Sequence, residues 1–203
     1  MTSSEQDALH ELMKKTAVAL KQARVPFALC GGYAAWARGA PEPEHDADFL
    51  VPADQAERAA KALTEADLRV VEPPEDWLFK VVEDEETFVD VLWEVSGHPV
   101  DDGLVERATG LQVLSIEMPV LSATDIVVTK LLALDEHYCD FSKALPVARS
   151  LREQVDWARV REATADNDFA VAFLVLLDRL GIAPAPSARV TGGRPGHLGF
   201  SGG

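Results

Sequence analysis

Apolar positions in residues 4–24 recur at helical spacing. Leu9, Leu12, Met13, Thr16, Ala17 and Leu20 fall on one stripe, and Lys14, Lys15 and Lys21 lie off it. Pro26 stops that helix, having no N–H to donate, and an apolar run around it (Val25, Phe27, Ala28, Leu29, Cys30) suits a buried strand. Gly31-Gly32 follows at once, as a sharp turn or a close backbone approach to a ligand requires. Residues 33–38 read as a short helix and residues 39–44 as a loop. The run Asp46-Ala47-Asp48-Phe49-Leu50-Val51 alternates, which predicts a strand with Asp46 and Asp48 on one face.

Further along, residues 53–65 read as a helix and residues 68–71 as a short strand broken by Pro73-Pro74. Residues 77–82 and 88–95 form two strands of a hairpin around the acidic turn Glu83-Asp84-Glu85-Glu86. Residues 97–103 are expected as loop, with short strands at 111–116 and 120–121. Ser122-Ala123-Thr124-Asp125 has the spacing of a capping box and opens a helix expected to run to about Tyr138. Three more helices are expected at 144–151, 157–163 and 169–180, the last closed by Gly181. The pattern predicts an α/β fold: a mixed β-sheet core with helices packed on it and a helical C-terminal subdomain. The expected division is 1–121, 122–182 and a flexible tail, 183–203, rich in Pro and Gly.

At 203 residues and 47% hydrophobic, the chain can bury a sizeable core. No run reaches the ~18 apolar residues of a membrane span. The N-terminus carries no signal-peptide pattern, and two cysteines, Cys30 and Cys139, suit free thiols in a reducing cytoplasm. The net charge of −15 is not evenly spread. Residues 42–102 hold nineteen acidic residues and four basic ones, which accounts for all of it. Such a balance argues against a polyanionic partner unless that partner docks on a separate basic surface.

Two carboxylates on one strand face repel each other, and a divalent cation with oxygen ligands would relieve them. Asp90, in Val89-Asp90-Val91-Leu92-Trp93, is a third carboxylate in a strand that gains nothing from it in β-propensity. It is either a solvated edge residue or part of a site. Lys130 is the only lysine or arginine in its apolar helix and either snorkels to water or meets an anion. His137, seven residues on, is expected on the same helix face.

The pattern Gly31-Gly32, a spacer, then Asp46-Ala47-Asp48 resembles the signature of the polymerase-β-like nucleotidyltransferase superfamily. The wording Gly-Gly-Tyr-Ala-Ala-Trp-Ala-Arg-Gly and His-Asp-Ala-Asp-Phe-Leu-Val is similar to the AbiEii/MenT-like toxin branch. The resemblance implies a Mg²⁺-dependent transfer of a nucleoside monophosphate from an NTP to an acceptor hydroxyl. Two Mg²⁺ ions would sit on Asp46, Asp48 and Asp90. Gly31 and Gly32 would cradle the triphosphate, Lys130 would bind phosphate, and Asp140 would match a further catalytic position after the lysine helix. The branch implies an RNA acceptor, a tRNA 3′ end, and a cognate antitoxin. Lys143, Arg149, Arg152, Arg159 and Arg161 are the expected RNA contacts. A small-molecule acceptor of the antibiotic type, a protein hydroxyl, or a non-catalytic antitoxin or binding module of the same fold are the alternatives.

Overall fold

The computed structural model describes residues 3–43 and 46–183. The tail expected to be flexible lies outside the described residues, apart from the buried Ala183.

Helix α1 (Ser3–Gln22) buries the stripe read from the sequence, Leu9, Leu12, Met13, Ala17 and Leu20, together with Thr16. The Thr16 hydroxyl donates to the carbonyl of Leu12 at 2.9 Å, which satisfies it inside the core. After a turn at Arg24 the chain enters β1 (Ala28–Cys30), then α2 (Gly31–Ala37) and β2 (Ala47–Leu50). A 3₁₀ turn leads into α3 (Ala56–Glu65). β3 (Val70–Val71), β4 (Leu78–Val82) and β5 (Phe88–Leu92) follow.

Residues 97–103 are not the loop the sequence suggested. β6 (Glu94–Val95) and β7 (His98–Pro99) form a small separate hairpin, and Asp101 caps α4 (Asp102–Glu106) by accepting from the Leu104 N–H at 2.7 Å. β8 (Thr109–Val113) and β9 (Ile116–Val120) form a second hairpin turning at Leu114-Ser115, both in left-handed backbone. The remaining elements are α5 (Ala123–Leu132), α6 (Phe141–Leu151), α7 (Trp157–Ala163) and α8 (Asp168–Arg179).

The main sheet has seven strands in the order β3-β4-β5-β2-β1-β9-β8. It is mixed: β2 runs parallel to β5 and β1 parallel to β9, while the other neighbours are antiparallel. Strand alternation sorts the two faces. Phe79, Val81, Val89, Val91, Ala47 and Phe49 are buried, with α1 packed over β4 and β5. The residues between them in sequence, Lys80, Asp90 and Asp48, point to the opposite face. α2 packs on β1 and β2, and Arg38 at its end donates to the Val120 carbonyl at 2.9 Å and to that of Leu121.

α5 is shorter than the sequence suggested. The Asp135 carboxylate accepts from the N–H groups of His137 and Tyr138 at 2.7 and 2.8 Å, so the backbone turns there instead of continuing the helix. Lys130 and His137 therefore do not share a helix face.

Candidate active site

Sheet register places the candidate residues in one row. Cys30 on β1 pairs with Asp48 on β2, Asp48 with Asp90 on β5, and Asp90 with Lys80 on β4. Directly opposed residues on neighbouring strands hold their side chains side by side, at about 5 Å between β-carbons. The row thus reads thiol, carboxylate, carboxylate, ammonium. Parity in β5 sends Asp90 to the same side as Asp48, so the sheet brings together two carboxylates that stand forty-two residues apart.

Asp46 reaches the site differently from the expectation. It precedes β2 and has a left-handed backbone (φ 57°), so strand alternation does not set its direction. Asp tolerates that conformation better than most residues. It is exposed, and its charge acts on both Asp48 and Asp90.

Gly31 explains how Asp48 fits. Its φ is +62°, and a β-carbon there would lie 2.0 Å from Oδ2 of Asp48. The two-glycine turn is the start of α2 itself. Cys30 is its N-cap and supplies no side-chain cap, so the helix begins directly beside the carboxylate. At Gly32 a β-carbon would come 2.9 Å from Cβ of Pro43, which ties the returning loop to the same turn.

The electrostatics are those of a site short of positive charge. Burial, then the charges of Asp90 and Asp46, push the Asp48 carboxyl up to about 7, against the pull of Lys130 and Lys80. Asp90 is also raised, first by burial, although Lys80 donates to its Oδ1 at 2.7 Å and opposes the rise. Glu75 adds further negative charge there. Burial lifts the Cys30 thiol well above its usual range, with Asp48 next in effect, so this thiol stays protonated. Among the described residues, no group of three His, Cys, Asp or Glu side chains is gathered closely enough to hold a metal ion as the side chains stand.

Lys130 lies on α5, and its charge acts on Asp48 and Cys30. It also lines a pocket of about 290 Å³ with His137, Tyr138, Cys139, Asp140 and Lys143. Asp140 serves the backbone of this region. It caps α6, accepting from the Ser142 N–H at 3.0 Å and the Ser142 hydroxyl at 2.6 Å. Those bonds hold its carboxyl below the usual range. It lines the Lys130 pocket and is not among the groups acting on Asp48.

Of the basic residues expected to contact RNA, three have partners within the chain. Arg159 donates to the buried Asp125 at 2.8 Å, beside Arg107 at 3.2 Å. Arg161 donates to the Ala183 carbonyl at 2.6 Å, and Arg152 pairs with its neighbour Glu153 at 2.9 Å. Asp125 does take part in the capping arrangement foreseen, with its N–H donating to Ser122 Oγ at 3.0 Å, but its carboxylate serves the two arginines as well. Lys80 is the residue that sequence reasoning missed. The strand bounds 77–82 and 88–95, joined by the five residues between them, would have placed it opposite Asp90.

No helix among the described residues is long and apolar enough to cross a membrane.

Residues 2–186 match the model of a family described as uncharacterised nucleotidyltransferase. Among solved structures, the chain is similar to the antibiotic-resistance factor ANT(2'')-Ia. Its crystal structure with adenylyl-2''-tobramycin gives a TM-score of 0.56 at 17% identity, covering 82% of this chain and 97% of that one. Its solution structure gives 0.54 at 16% identity, covering 85% and 96%. An antigenic nucleotidyltransferase-like protein from Paracoccidioides brasiliensis gives 0.52 at 14% identity, covering 86% and 88%. At these identities the likeness concerns the fold. No curated protein sequence matches the chain.

Proposed function

The chain belongs to this nucleotidyltransferase family, and we propose that it moves a nucleoside monophosphate from an NTP to a hydroxyl of a small cationic acceptor, releasing pyrophosphate. The observation that carries this reading is the row in which Asp48 and Asp90 stand side by side with Gly31 pressed against Asp48. A fold gains nothing in stability from two adjacent, partly buried carboxylates with raised pKa values.

The donor set fits a hard divalent cation such as Mg²⁺. It consists of carboxylate oxygens, and burial, then the charges of Asp90 and Asp46, disfavour the charged form of Asp48 until a cation is present. Asp46 and Asp48 would hold the ion, which would neutralise the triphosphate and polarise the phosphorus under attack. The glycine turn lets phosphate oxygens approach the backbone where any side chain would block them. Lys130 neutralises charge on the departing pyrophosphate. Asp90, whose Oδ2 is not engaged by Lys80, accepts the proton of the acceptor hydroxyl. The oxygen so freed bonds to the α-phosphorus as the bond to the bridging oxygen of pyrophosphate breaks.

Charge supports the choice of acceptor. Asp46, Asp48, Asp90 and Glu75 outnumber Lys80 and Lys130 around the row, so a cationic molecule is drawn in. ANT(2'')-Ia, of the same fold, is seen with an adenylylated small molecule, adenylyl-2''-tobramycin. The toxin-like wording near Gly31 favours an RNA 3′ end and a cognate antitoxin instead, but three of the five arginines and lysines that reading needs are engaged within the chain. Incubation with each α-labelled NTP and Mg²⁺, offered aminoglycosides in one arm and total tRNA in the other, tests the choice. Label on the cationic compound alone supports the proposal. Label on tRNA alone assigns the acceptor to RNA.

A further inference from the structure

A lysine stands beside Asp90, the second carboxylate of the row. Lys80 and Asp90 are directly opposed on β4 and β5, and Nζ lies 2.7 Å from Oδ1. Their side chains keep only 28% and 16% of their exposure. Nζ also lies 3.8 Å over the ring of Phe88, so the ammonium is held from two sides. A lysine on a strand commonly extends its head into water. This one turns along the sheet instead, towards a carboxylate whose other charged neighbours, Asp48, Asp46 and Glu75, are all acidic.

From this arrangement we infer that Lys80 occupies the place a second divalent cation would take beside Asp90. Resting on the nucleotidyl-transfer reading above, the inference is that the chain works with one ion, on Asp46 and Asp48, and with a fixed ammonium as the second positive charge. An ammonium and a divalent cation beside one carboxylate repel each other, so the ammonium already seated at Oδ1 disfavours a second ion there. Lys80 is a positioning residue: it acts through Asp90, holding Oδ1 and leaving Oδ2 free for the acceptor hydroxyl.

Counting Mn²⁺ ions by electron paramagnetic resonance, with the non-hydrolysable α,β-methylene analogue of ATP bound, tests this without reading activity. The expected count is one per chain for the wild type and for Lys80→Arg. Lys80→Met should bind two, and Lys80→Met combined with Asp90→Asn should return to one. Two ions on the wild type would overturn the inference, and that count stands whether or not Lys80→Met folds. One ion on folded Lys80→Met would overturn it as well. No ion on the wild type would overturn the nucleotidyl-transfer reading itself, and the inference with it.

Discussion

Gly31 makes room for Asp48: a single added carbon at residue 31 would stand 2.0 Å from the carboxylate oxygen Oδ2. The left-handed backbone at Gly31 and the strand position of Asp48 are therefore one arrangement, although seventeen residues separate them in the chain. Gly31→Ala should lower Tm, since an L residue in that conformation costs on the order of 1–2 kcal/mol before any collision, equivalent to a few degrees at this length. Turnover of NTP should fall by about 100-fold, because the displaced carboxylate misplaces what it holds. Melting curves and pyrophosphate release on one preparation would separate the two effects. Full activity in a stably folded Gly31→Ala would remove the glycine from the site.

The raised carboxyl of Asp48 makes stability depend on pH. In the fold it titrates at about 7, and in the unfolded chain near the ordinary value of about 4. The folded state thus holds its proton more tightly. The stability contributed by this group is full below about pH 4, declines as pH rises to about 7, and is gone above that. Asp48→Asn should match the wild type in Tm at pH 4 and exceed it at pH 8 by about 2–4 °C for each kcal/mol of relieved repulsion. Mg²⁺ added at pH 8 should raise Tm in the wild type and not in Asp48→Asn. Parallel Tm–pH curves for the two proteins would contradict this.

Lys130 is the nearest test of phosphate binding. Lys130→Ala should fold, since alanine suits the interior of α5. Its turnover should drop about 100-fold, the usual loss when one charge-stabilising group is removed from a polar site. Steady-state rates at saturating NTP would read this directly. Unchanged turnover would mean that Lys130 only reaches water.

Much of the fold and of the site is legible in the sequence, for definite reasons. The helical stripe from Leu9 to Leu20 shows α1, and its members are buried. The alternation around Val89 and Val91 shows that Asp90 faces away from the core. What periodicity cannot show is which strands are neighbours. The pairing of Asp48 with Asp90 depends on β2 lying parallel to β5, a long-range choice made by packing. Alternation does not set the direction of Asp46, because that residue lies just before β2 with a left-handed backbone. Apolar composition overextends α5, because it hides the turn that the Asp135 side chain imposes. Lys80 could be found from sequence, since strands ending at residue 82 and starting at residue 88 pair it with Asp90.

The basic residues of the C-terminal helices make a further prediction. Arg159→Gln removes one of two arginines from the buried Asp125, which is 2% exposed. Leaving a buried carboxylate short of a partner costs about 1–3 kcal/mol, so chemical denaturation should show that loss. Arg149→Gln, at an exposed position, should stay within about 0.5 kcal/mol of the wild type. Equal stability in both variants would mean that Arg159 is not holding Asp125.

Transfer of the label itself tests the central claim most directly. Wild-type protein, Mg²⁺, α-labelled NTP and a cationic acceptor should yield labelled acceptor and free pyrophosphate in equal amounts. Asp46→Asn and Asp48→Asn should each lose at least about 100-fold of that yield, because each removes a carboxylate that positions the nucleotide. Label transfer by Asp48→Asn at the wild-type rate, with its fold intact, would contradict the account.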